Sequence, residues 1–224
     1  MKLFLDTANL NEIEKTLKLG IISGITTNPG LIAKEPKTDY IAHLKKIAEL
    51  CQKYRQEVPL SMMVVEKEPE KMLVQAKEFS AALQYGNLNI KIPVGLDTLW
   101  VVRELEKNNI KVNYTCGMNE AQTILGGLAG ATYFSIFHGH IKDLGSDPNE
   151  VIKNSRQLLE GTKTEIISGG VRHMKDAVDS FLAGAHIVTV PYEILEKMAI
   201  HPKTTENINR FIDKFNHWGE NYGK

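Results

Sequence analysis

The sequence has 224 residues, enough for one large α/β domain or two small ones. Lysine plus arginine and aspartate plus glutamate number 27 each, so the formal net charge is zero. The sequence also contains no basic block of the kind that binds nucleic acid. No apolar run approaches the length of a membrane span, and residues 1–5 have the pattern of a strand rather than of a signal peptide. We therefore expect neither nucleic acid nor a membrane as a partner.

Two cysteines, Cys51 and Cys116, fall in different predicted elements, and the sequence contains no CxxC pair and no cluster of Cys and His. Such sparse use of cysteine is typical of proteins kept in a reducing compartment. The sequence predicts a cytoplasmic location and no structural metal.

Short apolar runs alternate with longer amphipathic stretches along the whole chain. The strand-like runs are residues 2–6, 24–27, 60–65, 88–92, 111–116, 133–137, 164–168 and 187–190. Helical periodicity covers residues 9–19, 40–54, 69–83, 96–107, 120–129, 149–160 and 173–183. Eight strands alternating with helices predict one closed (β/α)8 TIM barrel. The competing interpretation, a doubly wound open sheet, lacks a GxGxxG segment after its first strand.

A last amphipathic stretch, residues 204–218, is extra to the barrel. Ile208, Phe211, Ile212 and Phe215 recur at helical spacing and form an apolar stripe. This stripe can pack on its own barrel or on a neighbouring subunit. We expect a barrel over residues 1–200 and a C-terminal helix over residues 201–224 that packs against another subunit, hence a homo-oligomer.

Lys91 lies within an apolar run of strand length, Leu-Asn-Ile-Lys-Ile-Pro at residues 88–93. Taken alone, it reads as an edge lysine whose ammonium stays in water. Several other predicted strands also end in polar residues, which argues that Lys91 belongs to a shared interior site. A desolvated lysine loses its proton more easily and becomes a nucleophile toward carbonyl carbons.

The ends of the other strands supply polar side chains at a spacing of two, which places them on one face. Chemistry in such barrels lies at the C-terminal ends of the strands. The last inward positions are Phe4 and Asp6, Thr26 and Asn28, Ser61 and Met63, Asn89 and Lys91, Asn113 and Thr115, Ser135 and Phe137, and Ser168 and Gly170. Individually, Asp6 could cap a helix and Asn28-Pro29 could be a turn. Together, an amine, a carboxylate and several hydroxyl and amide groups predict a Schiff-base aldol enzyme acting on a polyhydroxylated ketone.

The sequence resembles the transaldolase family, in its short, single-domain branch, along nearly its whole length. The motifs that carry the resemblance are LFLDTA at residues 3–8, GITTNP at 24–29, IKIP at 90–93, AGATY at 129–133 and VP at 190–191. The resemblance implies that Lys91 forms the Schiff base, that Asp6 is the acid and base for carbon–carbon cleavage, and that Thr115 positions a catalytic water. It further implies that Asn28, Asn113 and Ser135 hold the dihydroxyacetone hydroxyls. No cofactor is implied.

Fructose 6-phosphate aldolases form a sister group in this family, with a tyrosine at the position of Phe137 and apolar residues at those of Asn113 and Ser135. The chain is similar to a transaldolase at all three positions. The resemblance therefore favours transfer of a three-carbon unit over its release. An ordinary transaldolase or a fructose 6-phosphate aldolase remains the alternative, and a sugar-phosphate-binding barrel with a vestigial lysine is the rival from another class.

The chain departs from the family pattern at three positions. Members usually have glutamate or glutamine in place of Met63, and an arginine and a serine that hold the substrate phosphate in place of His140 and Gly170; the arginine matching Arg172 is retained. A glycine lets backbone N–H groups approach an anion, and a histidine carries only conditional charge. Because a sulfonate is a monoanion with three oxygens, we expect a 6-deoxy-6-sulfofructose transaldolase, with Thr26, Ser61 and Ser168 as further substrate contacts.

Overall fold

A computed structural model describes residues 1–54 and 58–222 of the chain. Eight parallel strands pair in chain order and close into a barrel, in which β1 also pairs with β8. The strands are β1 Lys2–Asp6, β2 Gly24–Thr26, β3 Leu60–Met63, β4 Leu88–Pro93, β5 Lys111–Gly117, β6 Tyr133–Phe137, β7 Glu165–Gly169 and β8 Ile187–Val190. The predicted TIM barrel is confirmed.

Helices follow the strands and cover the outside of the barrel. They are α1 Leu10–Leu19, α2 Pro29–Ile32, α3 Tyr40–Tyr54, α4 Pro69–Leu83, α5 Leu99–Lys107, α6 Glu120–Ala129, α7 His138–Asp143, α8 Pro148–Leu158, α9 Met174–Leu182, α10 Tyr192–Ala199 and α11 Pro202–Tyr222. The short helices α2, α7 and α10 were not predicted, because four to eight residues are too few for helical periodicity to stand out. The helix predicted from residue 96 begins instead at Leu99, after Thr98.

Alternation along the strands separates two apolar layers. Outward residues such as Leu5, Ile25 and Ile90 are fully buried and belong to the large core shared with the helices. Inside the barrel, Phe4, Tyr133, Ile167 and Ile187 form a smaller cluster, with the ring centroids of Phe4 and Tyr133 6.2 Å apart in an edge-on contact. Side chains thus fill the interior below the strand ends, as is usual for such barrels.

Gly24 makes room for that inner cluster. It pairs with Phe4 in the register between β1 and β2, and a Cβ atom added at Gly24 would collide with the Phe4 ring. The glycine is therefore needed for space rather than for an unusual backbone angle.

The helix α11 extends past the barrel. From residue 202 to 219 its described side chains are exposed, except that of Asn207, which is partly buried. Ile208, Phe211, Ile212 and Phe215 are each at least half exposed, so the apolar stripe predicted from the sequence lies in solvent in the single chain.

Over residues 1–54 and 58–222, the helices are either too short or too polar to cross a bilayer.

Candidate active site

The strand ends surround a cavity of about 210 Å³ at the mouth of the barrel. Its wall consists of Asp6, Thr26, Asn28, Lys91, Ser135, Phe137, His140, Gly169, Gly170 and Thr189. All of these except Gly169 and Thr189 were predicted from the sequence. The cavity therefore brings together an amine, a carboxylate, hydroxyls and an amide, as the strand pattern indicated.

Lys91 is almost fully enclosed, with 6% of its surface exposed. Its Nζ donates a hydrogen bond to the carbonyl oxygen of Thr27 at 3.0 Å. Burial lowers the pKa of Lys91 below the ordinary lysine value, while the carboxylate of Asp6 and the thiol of Cys116 act in the opposite direction. Lys91 is thus an interior amine and not an edge lysine.

Asp6 ends β1 and is only partly accessible to solvent. Its Oδ1 accepts a hydrogen bond of 2.6 Å from the Thr26 hydroxyl. Burial raises the pKa of Asp6, although the Lys91 ammonium and the bond from Thr26 oppose this effect. The alternative role as a helix cap does not apply, because α1 is capped by Asn9, whose side chain accepts from the N–H groups of Asn11 and Glu12. The carboxylate is therefore available to the cavity.

Asn28 serves both as a cap and as part of the cavity wall. Its Oδ1 accepts from the N–H of Leu31 at 3.0 Å and caps α2, where the sequence alone suggested a turn. Since that bond uses Oδ1, the Nδ2 group is the part of the side chain suited to donate to a ligand.

Three predicted residues form a hydrogen-bonded row that begins at the cavity wall. Ser135 Oγ donates to Oδ1 of Asn113 at 2.6 Å, and Asn113 Nδ2 donates to Ser61 Oγ at 3.3 Å. Only Ser135 lines the cavity itself, whereas Asn113 and Ser61 are completely buried. The row fixes the orientation of Ser135.

Met63 and Thr115 are not among the residues that line the cavity. Met63 pairs with Lys91 in the register between β3 and β4, so it lies beside the amine on the same face. Thr115 is completely buried on β5, close to the thiol of Cys116, whose pKa is raised by burial. Met63 thus lies near Lys91 and Thr115 near Cys116, but neither residue lines the cavity.

The prediction that Ser168 points into the barrel is wrong. Ser135 and Phe137 of β6 pair with Ile167 and Gly169 of β7. Ile167 and Gly169 are therefore the inward residues of β7. Ser168 faces the helices, where its hydroxyl lies 2.8 Å from the hydroxyl of Ser180 on α9. The sequence pattern placed the face one residue out of step, and such a slip reverses every side chain of a strand. Gly170 nevertheless lines the cavity because the chain turns after β7, with φ +67 at Gly170.

One end of the cavity is formed by Phe137, His140 and Gly170. The rings of Phe137 and His140 lie 5.2 Å apart, and His140 is exposed at the start of α7. Arg172 is not part of the wall. Its guanidinium is held by Asp143 through two hydrogen bonds of 2.6 Å each.

A second cavity, of about 410 Å³, shares Asp6 with the first. Besides Lys34, its wall carries the glutamates Glu12, Glu35, Glu193 and Glu196. This excess of negative charge disfavours an anionic group on that side of Asp6. In the described part of the chain, no group of three or more His, Cys, Asp or Glu side chains is arranged to hold a metal ion.

Comparison with known proteins places the chain in a family. The family described as transaldolase/fructose-6-phosphate aldolase matches residues 3–224. A probable transaldolase from Alkaliphilus metalliredigens is 37% identical over 214 residues, which cover 95% of this chain and 96% of the relative. Probable transaldolases from Desulforudis audaxviator and Clostridium botulinum are 39% and 38% identical, and cover 95% and 99% of this chain and 96% and 100% of their own lengths.

The chain belongs to the transaldolase/fructose-6-phosphate aldolase family. The resemblance found in the sequence and the expected enzyme class, a transaldolase, are confirmed. A thiamine phosphate pyrophosphorylase from Pyrococcus furiosus has a TM-score of 0.61 to this transaldolase over 85% of each chain, at 13% identity. That likeness shows a shared barrel fold and carries no information about activity.

Sequence reasoning missed several groups in the site of this transaldolase. Thr189 lines the cavity, and its hydroxyl lies 2.6 Å from that of Thr26. A signal was present, because Thr189 lies two residues after the inward Ile187 on β8 and therefore on the same face. The Thr27 carbonyl that accepts from Lys91 and the pairing of Asp143 with Arg172 leave no such trace, since each depends on tertiary geometry.

Proposed function

We propose that this transaldolase takes a dihydroxyacetone unit from 6-deoxy-6-sulfofructose, releases sulfolactaldehyde, and passes the unit to glyceraldehyde 3-phosphate. The observation that carries the chemistry is the buried Lys91 amine in the same cavity as Asp6. Because burial lowers the pKa of Lys91, a larger share of it is the neutral, nucleophilic amine. The scheme needs no metal or organic cofactor, because an iminium ion on Lys91 acts as the electron sink.

In the first half of the reaction, the Lys91 amine adds to C2 of the ketose and water leaves, which gives the iminium. Asp6 takes the proton of the C4 hydroxyl, the C3–C4 bond breaks, and its electron pair moves toward the iminium to form an enamine. The aldehyde made of C4 to C6 departs. Formation of the iminium keeps a cation beside Asp6, and this favours the carboxylate form of Asp6 at the step that requires a base.

In the second half, the enamine carbon attacks the carbonyl carbon of the acceptor aldehyde. Protonated Asp6 gives its proton to the oxygen that becomes the new C4 hydroxyl. Water then adds to C2 and the Lys91 amine leaves, so the ketose is released and the enzyme is regenerated. Thr115 is proposed to position this water, because its buried hydroxyl lies on β5 two residues beyond Asn113, which pairs with Lys91.

The dihydroxyacetone unit is proposed to be held by Asn28 and Ser135, with Asn113 behind Ser135. The bond of 2.6 Å from Ser135 to Asn113 supports this role, since a hydroxyl already oriented loses less entropy on binding. Thr26 is assigned to orient Asp6, and Ser61 to support Asn113.

Transfer is proposed rather than release because the polar row of Ser61, Asn113 and Ser135 can retain the enamine until an acceptor arrives. Phe137 lines the same cavity and has no hydroxyl that could deliver a proton to the enamine. Phe137→Tyr adds that hydroxyl, so it is expected to increase release of free dihydroxyacetone relative to transfer.

The anionic group of the donor is proposed to lie at the end of the cavity formed by His140 and Gly170. Two features support a monoanion there. The position that the family resemblance gives to an arginine is occupied by His140, and the guanidinium of Arg172 is already paired with Asp143. Weak net positive charge suits a sulfonate, which has three oxygens and one negative charge. The acidic second cavity on the other side of Asp6 argues against an anion there.

The test is a comparison of kcat/KM for 6-deoxy-6-sulfofructose and fructose 6-phosphate, with glyceraldehyde 3-phosphate as the acceptor. Wild type is expected to prefer the sulfonate, and the double variant His140→Arg with Gly170→Ser is expected to shift preference toward the phosphate. Serine at residue 170 meets a left-handed backbone, with φ +67, although the space is open enough for a Cβ. Gly145→Ser is a matched control, because Gly145 has φ +79 and open space in an exposed turn.

Preference of the wild type for fructose 6-phosphate, or a ratio that the double variant leaves unchanged, would contradict the sulfonate assignment and favour an ordinary transaldolase. If neither donor transfers its unit to the acceptor but free dihydroxyacetone appears, the chain is an aldolase of the same family. Borohydride trapping of dihydroxyacetone on Lys91 is expected in either case.

We also propose a homo-oligomer in which another subunit covers the apolar stripe of α11. The stripe supports this, since Phe211 and Phe215 are 61% and 67% exposed in the single chain. Light scattering is expected to give the mass of an oligomer for the full chain and a smaller mass for a chain ending at residue 200. Equal masses would contradict the role of α11.

A cytoplasmic location is proposed from the free thiols of Cys51, which is buried, and Cys116, which is partly buried. Unpaired cysteines of this kind are typical of reducing compartments. Fractionation of the native host, with the chain detected by antibody, tests this.

A further inference from the structure

Arg172 and Asp143 form the most regular ion pair near the cavity. Nη1 of Arg172 donates to Oδ1 of Asp143 and Nη2 donates to Oδ2, both at 2.6 Å. This is the parallel, two-bond geometry that fits a guanidinium to a carboxylate. The hydrogen bond from Arg172 lowers the pKa of Asp143, so the carboxylate is charged at neutral pH.

Arg172 lies close to the cavity wall, and the two side chains of the pair are about half exposed. A Cβ atom added at Gly139 would lie 2.9 Å from Nε of Arg172. The same glycine is next to His140 and Gly170, and both of these residues line the cavity. Gly139 therefore lets the Nε edge of the guanidinium approach the wall. Asp143 occupies the opposite edge, the one formed by Nη1 and Nη2.

A guanidinium has five N–H groups, and Asp143 uses two of them. The Nε–H and one further hydrogen on each Nη remain for an anion that reaches Arg172 past Gly139. Such an anion meets the donors of Arg172 together with the negative charge of Asp143. The repulsion from Asp143 is twice as large for a dianion as for a monoanion, because the Coulomb energy scales with the charge of the ligand.

We propose that Asp143 is a specificity-determining residue that sets the charge of the anionic group the cavity accepts. It holds Arg172 in place and offsets part of its charge, so the advantage that Arg172 gives to a phosphate dianion over a monoanion such as a sulfonate is reduced. This inference rests on the anion subsite of the proposed function. It adds a residue that is not in the cavity wall and that acts through Arg172.

The experiment compares two ligands that have the same three-carbon skeleton and differ in charge, glycerol 3-phosphate and 2,3-dihydroxypropane-1-sulfonate. Their dissociation constants are measured at pH 8 by ligand-observed NMR titration of the full chain, which requires no turnover and no assumption about the natural donor. At this pH the phosphate, whose second pKa is about 6, is a dianion. Asp143→Asn keeps the shape and one acceptor oxygen while it removes the charge.

In Asp143→Asn, the dissociation constant of the phosphate is expected to fall by about threefold to tenfold more than that of the sulfonate, the size expected for one screened unit charge near a protein surface. Asp179→Asn is the matched control. Asp179 is also paired with a basic side chain, Lys175, whose Nζ lies at 2.8 Å, and it lies on α9 outside the cavity wall. This control is expected to leave the ratio of the two constants unchanged.

Arg172→Gln tests whether the anion binds at Arg172, separately from whether Asp143 selects its charge. If it weakens both ligands while Asp143→Asn leaves their ratio unchanged, Asp143 does not select charge and this inference is overturned, although the anion subsite stands. If Arg172→Gln changes neither constant, the anion is not held at Arg172, which overturns this inference and leaves His140 and Gly170 as the proposed anion subsite. A ratio that shifts equally in Asp179→Asn also overturns the inference, because overall charge would then explain it.

Discussion

The hydroxyl oxygens of Thr26 and Thr189 lie 2.6 Å apart, on the two strands that flank β1. The Thr26 hydroxyl donates its hydrogen to Oδ1 of Asp6, also at 2.6 Å. Because a hydroxyl has one hydrogen, Thr189 must donate to Thr26. The two threonines therefore form a chain of hydrogen bonds that ends on Oδ1 of Asp6. Oδ2 of Asp6 is the oxygen left for a substrate proton.

Thr189→Val keeps the shape of the side chain and removes this donor. We expect kcat for transfer to fall by about threefold to tenfold, the worth of one hydrogen bond, because the orientation of Asp6 becomes less well defined. Borohydride trapping of dihydroxyacetone on Lys91 should be unchanged, since that step does not use Asp6. Thr189→Ser should restore kcat, and a valine variant with wild-type kcat would show that Thr189 only fills space.

Lys91→Met replaces the amine with an unbranched apolar side chain, which the buried site accommodates without leaving a hole. We expect transfer and ketose-dependent borohydride trapping both to vanish, because no other amine lines the described cavity. Mass spectrometry of the trapped protein gives the readout, and circular dichroism checks the fold. Lys34→Ala is the control, since Lys34 borders the second cavity and should leave trapping intact. An adduct on Lys34 in wild type would contradict the assignment.

Asp6→Asn removes the base while it keeps the size of the side chain. We expect turnover of a six-carbon ketose to drop by about two to four orders of magnitude, the usual contribution of a positioned acid or base. Dihydroxyacetone should still be trapped on Lys91, since it needs no C3–C4 cleavage. Single-turnover measurement of aldehyde release separates the two steps. Near-normal release would mean that another group takes the C4 proton.

Met63→Glu introduces a carboxylate at the residue that pairs with Lys91 between β3 and β4. A nearby negative charge favours the ammonium form, so the pKa of Lys91 should rise and less neutral amine should be present at a given pH. We expect the rising limb of the pH profile of trapping to move upward by about one pH unit. Met63→Gln, which lacks the charge, should leave that limb in place. Identical profiles for both variants would show that residue 63 does not face the amine.

Gly24→Ala tests the packing of the barrel interior. The added Cβ collides with the Phe4 ring, and relieving such overpacking typically costs about 1–3 kcal/mol of unfolding free energy. Urea denaturation gives the value. Gly86→Ala is the comparison, because a Cβ at Gly86 meets nothing within 4 Å and the residue has no left-handed backbone angle. If both variants unfold at the same urea concentration, Phe4 has another position open to it.

Much of the barrel could be predicted because alternation and helical periodicity are local properties. Asp6, Lys91 and Ser135 line one cavity, as expected from the sequence, since each strand end could be counted from its own apolar run. The counting failed on β7, where Ile166, Ile167 and Ser168 are all buried and a run buried on both faces does not reveal which residue points inward.

The sequence also could not show which inward residues reach the cavity, or which charged side chains pair with each other. Asn113 and Ser61 have the same inward parity as Lys91, yet they are completely buried outside the cavity wall and bond to each other. Alternation gives the face of a residue but not its height along the barrel axis. Likewise Asp143 and Arg172 are 29 residues apart, and only the approach of α7 to the end of β7 brings them together.

In the proposed homo-oligomer, the exposed stripe of α11 makes the behaviour of this enzyme depend on its concentration. Helices in proteins owe most of their stability to packing of the apolar face, and in the single chain that face meets water along Ile208, Phe211 and Phe215. A second copy that covers it contributes by mass action, so the melting temperature should rise with protein concentration. Dilution would then unravel α11 first and leave the barrel closed, so helix content would be lost before the Lys91 chemistry.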